Sequence, residues 1–144
     1  MVITHPFSLA INPGADWLVE HYPSMDRLRF VHNLDSATSG VLLIGKSKKA
    51  AARCIDLWSK REVEKEYLAL VYGHIGWETT TIHLPILPDP SSDFKMMVGD
   101  GGKHATTEAL VVERGYLNVE GVHYMAPVSK VKLKPITGRR HQLR

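Results

Sequence analysis

Cysteine is almost missing from this sequence. Cys54 is the only one in 144 residues, which excludes an internal disulfide and any zinc site built on cysteines. A reducing, intracellular compartment is the expectation. Long apolar runs are missing as well. No stretch approaches the roughly 20 residues of a membrane-spanning helix, so no membrane partner is expected. The N-terminus lacks the charged-then-apolar layout of a signal peptide. Internal repeats and low-complexity tracts are absent. There is no Gly-x-Ser-x-Gly elbow and no His-Glu-x-x-His pair. A hydrolase built from Asp35 and one of the eight histidines therefore has no motif behind it. His32 and His141 are read instead as structural residues that orient their loops.

What remains is the composition of a globular protein, 44% hydrophobic and 23% charged. The length suits one domain, so residues 1–144 are read as one. A net charge of +3 and a pI near 9.0 permit nucleic-acid binding without establishing it.

Residues 1–27 contain Pro6, Pro13, Gly14 and Pro23, so only short elements are expected there. Leu28 to Val31 suggests a strand that enters the polar turn formers of HNLDSATSG. VLLIG (41–45) reads as a buried strand. Ser47 is placed to cap a helix over 48–60, with Ala50, Ala51, Cys54, Ile55, Leu57 and Trp58 facing a core. Val63 to Tyr72 reads as extended. Val63, Lys65, Tyr67, Ala69 and Val71 share one face, Leu68, Leu70 and Tyr72 the other, and Gly73 ends the run. Thr79 to Leu84, Ala105 to Val112 and Val128 to Leu133 are further strands, the last alternating apolar residues with Lys130, Lys132 and Lys134. Residues 85–95, with three prolines, read as a loop, and Gly99 to Gly102 as a turn. The expected architecture is α+β: a mostly antiparallel sheet with packed helices.

Three segments carry candidate chemistry. Leu34 to Gly40 sets Asp35 on a tight loop between two apolar strands. Ser36, Thr38 and Ser39 can bond nearby backbone there, and Gly40 is conformationally permissive. Alone, Asp35 is better explained by capping the turn. In Lys65 to Val71, Tyr67 can stack on a flat ring and still offer a hydroxyl; alone, it is an ordinary sheet aromatic. Lys130 to Arg144 carries Lys130, Lys132, Lys134, Arg139, Arg140 and Arg144 with no acidic residue. Phosphate binding and a solvated basic strand both account for that charge. Gly138 after Thr137 suggests a sharp turn before the last residues.

Taken together and in order, these segments resemble the RluA-type pseudouridine synthases. That family is marked by a histidine-arginine-leucine-aspartate run continuing to threonine-serine-glycine, here HNLDSATSG. A lysine-x-tyrosine strand follows, here KEYLALVYG. The last mark is a threonine-glycine-arginine-x-histidine-glutamine-apolar-arginine run, here TGRRHQLR. Ala105-Thr106-Thr107 also matches the family's alanine-x-threonine strand. The resemblance implies a pseudouridine synthase catalytic-domain fold, with core motifs in residues 30–144. It implies Asp35 as nucleophile, Tyr67 against the target uracil as a candidate for proton transfer at C5, and Arg144 as the arginine that pairs with the aspartate. Lys134, Arg139 and Arg140 are then expected to touch RNA backbone, in rRNA or tRNA. The reaction consumes no water or group donor, so neither metal nor cofactor is expected. An arginine near the nucleophile makes physical sense: burial raises a carboxylate's pKa. At about 4 Å and an effective dielectric of about 20 the opposing attraction is about 4 kcal/mol before desolvation.

The sequence departs from the family twice. Asn33 stands where many members have an arginine associated with base flipping, and asparagine supplies neither the charge nor the stacking plane. Some eukaryotic relatives also carry a neutral amide there. The family core also starts earlier and continues beyond the final arginine, so a chain truncated at both ends is expected, with INPGADW only a faint echo of the family's start. Two readings follow: an active synthase, expected to be monomeric, or a non-catalytic RNA-binding protein on the same fold.

Overall fold

The computed structural model describes residues 2–5, 20–21, 29–35, 38–118 and 125–144. The expectations for residues 6–19 and 22–28 and for Ser36 lie outside the described residues. The chain divides into two compact units, Met1–Val63 and Glu64–Arg144.

In the first unit, β1 (Val2–His5), β2 (Arg29–Phe30) and β3 (Gly40–Gly45) form an antiparallel sheet in the order β1-β3-β2. The apolar run of β3 suits the central position, and it buries Leu42 and Ile44 while Val41 stays exposed. Helix α1 (Lys48–Ser59) follows. Ser47 is its N-cap, and its hydroxyl accepts the Ala50 N–H at 3.2 Å, as the sequence predicts. Close approach between strand and helix needs Gly45. A Cβ there would lie 2.7 Å from the Ala51 Cβ and 2.9 Å from Ala51 backbone. The inward face is narrower than predicted. Ala51 is buried and Cys54, Leu57 and Trp58 are half-buried, but Ala50 and Ile55 are exposed. At 100° per residue those two fall on opposite shoulders of the Ala51–Cys54–Trp58 stripe.

In the second unit, β4 (Tyr67–Tyr72), β5 (Thr79–Pro88), β6 (Met96–Val98), β7 (Lys103–Asn118) and β8 (Met125–Pro135) build an antiparallel sheet in the order β4-β8-β7-β5-β6. Ala109, Val111 and Val131 are its buried centre, with Ile75, Trp77 and Leu133 packed on them. Gly73 ends β4 with φ +89°, and its N–H and C=O bond Pro127 O and Ser129 Oγ. The extended run predicted from Val63 becomes ladder only at Tyr67.

The 85–95 segment differs from expectation, because β5 continues through Pro85 to Pro88 and the loop is only 89–95. In an antiparallel strand the N–H and C=O of one residue point the same way. Pro85 directs its carbonyl to Gly99 N, just past the end of the β6 pairing, and Pro88 lies beyond the last β5–β7 pair, Ile86↔Lys103. Neither proline removes a donor from the β5–β7 ladder.

Candidate active site and RNA-binding surface

Asp35 belongs to the first unit. Its carbonyl accepts the Thr38 N–H at 2.8 Å, closing a turn directly before β3, and the residue is half-buried. The loop is held from its other end by His32. Its Nε2 accepts the Leu43 N–H at 3.0 Å, and its ring stacks on Trp58 at 4.6 Å. The structural role expected of His32 is therefore observed, while Asn33 beside it is exposed.

Tyr67, Lys134, Arg139, Arg140 and Arg144 belong to the second unit. Tyr67 opens β4, half-buried opposite Leu133. Lys65, two residues earlier on the same face, is also half-buried. Its Nζ reaches Gly138, where a Cβ would sit 3.8 Å away. Burial lowers the Lys65 pKa from its ordinary value.

The TGRRHQLR segment is tied to the β7 residues Thr106 and Thr107. Thr106 N–H donates to Thr137 Oγ1 at 2.8 Å, and its carbonyl accepts Ile136 N at 3.0 Å. Gln142 completes the junction. Its Oε1 accepts the Thr137 hydroxyl and the Arg139 N–H, each at 2.9 Å, while its Nε2 donates to Thr106 O and Thr107 Oγ1, each at 3.0 Å. The turn begins one residue later than expected, with Gln142 N–H on Arg139 O and Arg144 N–H on His141 O. His141 rather than Gly138 takes the left-handed backbone, φ +56°. Arg139 donates Nε to the His104 carbonyl at 2.9 Å. Arg140 and Arg144 are exposed.

Sequence reasoning missed Gln142, His83 and His104. Gln142 stood inside a quoted motif, and only its fixed offset from Thr137 hinted at pairing. The histidines carried no local signal. Their ring nitrogens meet across strands on the Thr106 hydroxyl, at 3.1 Å from His83 Nδ1 and 2.8 Å from His104 Nε2.

The lysines of β8 look different in three dimensions. Lys132 pairs with Glu66 at 2.7 Å and Lys134 approaches Glu64 at 3.8 Å. Lys134 also lies opposite Glu108, and Lys130 opposite Glu113. Acidic residues from elsewhere in the chain thus pair with, approach or face Lys130, Lys132 and Lys134. Among the described residues no group of three or more His, Cys, Asp or Glu is placed to hold a metal ion. None of the described helices is long and apolar enough to cross a membrane.

The pattern of the RNA pseudouridylate synthase family matches residues 15–144. The chain belongs to that family. It is 39% identical over 123 residues to the mouse RNA pseudouridylate synthase domain-containing protein 1, covering 81% of this chain and 38% of that protein. To the Escherichia coli dual-specificity RNA pseudouridine synthase RluA it is 37% identical, with 100% of this chain and 65% of that protein covered. Among solved structures, the human RNA pseudouridylate synthase domain containing 1 superposes with TM-score 0.83 at 34% identity, covering 99% of this chain and 58% of that one. The human domain containing 4 gives TM-score 0.72 at 25% identity, with the same coverage. The chain thus spans between about two fifths and two thirds of these relatives. The α+β, mostly antiparallel fold is the fold of these structures.

Proposed function

We propose that residues 1–144 are part of one RNA pseudouridine synthase catalytic domain, with Asp35 as the nucleophile. The observation that carries this reading is that Asp35, Tyr67 and Arg144 all stand at motif positions of a chain matched to the family from residue 15 to 144. In the reaction the N1–C1′ glycosidic bond breaks and a C5–C1′ bond forms. The proton on C5 leaves and N1 gains one, so atoms balance without a metal or cofactor. Asp35 supplies the carboxylate and Tyr67 a ring face and hydroxyl at the base. Arg144 supplies the cation that keeps a partly desolvated carboxylate ionised.

The substrate is a structured rRNA or tRNA whose target uridine is flipped out or already unpaired. Asn33, which lacks the usual guanidinium, contacts the RNA, and Lys134, Arg139 and Arg140 contact phosphates. The protein acts inside the cell, in keeping with its single free thiol, Cys54, and as a monomer.

The test is chemical mapping of pseudouridine in cellular RNA after the gene is converted to Asp35→Ala. At least one uridine is expected to lose modification completely. If every site is retained, the enzyme reading is wrong. Salt-sensitive RNA binding without turnover by the wild-type chain would leave a non-catalytic RNA-binding protein on the same fold.

A further inference from the structure

The hydroxyl of Thr106 holds one proton and two lone pairs, and it meets two imidazole nitrogens, His83 Nδ1 and His104 Nε2. At most one of those nitrogens can accept the hydroxyl proton. At least one ring must therefore carry its own proton on the nitrogen facing Thr106. The two rings lie nearly parallel, 16° between planes and 5.9 Å between centroids. Thr106 is buried, 9% exposed. Its backbone is the anchor of the terminal segment: the N–H goes to Thr137, and the carbonyl takes Gln142 Nε2 and the Ile136 N–H. The His104 carbonyl takes Arg139 Nε. Side chain and backbone of one residue thus connect an exposed histidine pair to the segment bearing Arg139, Arg140 and Arg144.

We propose that His83 and His104 are positioning residues: they clamp the Thr106 hydroxyl and thereby set the geometry of the Thr137–Arg144 segment on β7. Neither ring touches substrate in this role. Its bearing on catalysis rests on the synthase reading above; the clamp itself does not.

Amide hydrogen exchange of the 144-residue chain reads the clamp without reference to activity. Thr106→Val keeps the shape and removes the hydroxyl. It is expected to raise exchange at 136–144 by about fivefold or more, the effect of losing one or two hydrogen bonds, with β4 and α1 unchanged. His83→Leu/His104→Leu is expected to do the same. His83→Gln/His104→Gln, whose amides can donate and accept, is expected to restore at least half of the protection. Unchanged exchange in Thr106→Val, or equal behaviour of the Leu and Gln pairs, overturns the proposal. Should the paired variants unfold, Thr106→Val decides alone. With turnover assays alongside, the Leu pair is expected to raise KM for RNA at least about fivefold with a smaller change in kcat, and the Gln pair to recover it. Absence of turnover in the wild type would refute the synthase reading and leave the exchange result to judge the clamp.

Discussion

Gln142 does at the scale of one side chain what elsewhere takes a stretch of ladder. Its four hydrogen bonds join Thr137 and Arg139 to Thr106 and Thr107. Gln142→Leu keeps the bulk but strands several polar groups, and each unsatisfied buried one costs about 1–3 kcal/mol. A loss of about 2–3 kcal/mol is expected in urea unfolding, with a larger loss of RNA affinity than Arg140→Ala causes. Ser129 is a second such residue. It is fully buried, accepts the Ile75 N–H at 2.9 Å and donates to the Gly73 carbonyl at 2.8 Å. Ser129→Ala is expected to cost about 1–3 kcal/mol in the same measurement.

Lys65 gives a pH-dependent term. Burial lowers its pKa from the ordinary 10.5. The folded state therefore holds the proton less tightly than the unfolded state does. The penalty is fully present below the folded pKa and is relieved as pH rises through it toward 10.5. Lys65→Met is expected to abolish this alkaline gain, checked by comparing urea midpoints of both proteins at neutral and alkaline pH. An unchanged pH profile would contradict it.

Among the elements, the contact of β3 with α1 leaves no room for a larger residue. The Gly45 site has backbone and Cβ of Ala51 within 2.9 Å of any added Cβ, and neither can rotate away. Gly45→Val is expected to destabilise by about 1–3 kcal/mol, the range for overpacking, seen as a lower thermal midpoint. Adding Ala51→Gly should recover part of it, because the two sites share one space. Strand β8 was legible from its alternation. Val131 and Leu133 do face the core and Lys130, Lys132 and Lys134 the other side. Strand β5 was not, since prolines usually end strands. Whether a proline interrupts a ladder depends on which way its missing N–H points, and only the register of β5 between β7 and β6 decides that.

For the whole molecule, the distribution of charge bears on RNA. Lys132 is already paired with Glu66, although both are well exposed and the pair itself adds little stability. Arg140 and Arg144 are exposed in the terminal turn and Arg139 uses only its Nε on the His104 carbonyl. On the proposed reading, each arginine that meets a phosphate contributes about −0.7 to −0.9 to the slope of log K against log salt. Arg139→Ala/Arg140→Ala should flatten that slope by about 1.5, while Lys132→Ala leaves it nearly unchanged. Binding isotherms at several salt concentrations check this. Equal flattening by Lys132→Ala would mean that this Glu66-paired lysine meets the RNA as well.

By itself the sequence determined the family, the helix cap at Ser47 and the two faces of β4 and β8. Each rests on local spacing: a motif in order, a hydroxyl three residues from an N–H, an alternation of two. It also placed Asp35, Tyr67 and Arg144 on family positions. Tertiary structure alone decided which acidic groups meet the lysines of β8, since Glu64 and Glu66 reach them from the segment just before β4 and Glu108 from β7. It alone decided what holds the terminal segment. The partners there stand 31 and 36 residues apart, and no local pattern reveals that two histidines on different strands meet one hydroxyl. Antiparallel pairing brings them together only once the register of β5 against β7 is set.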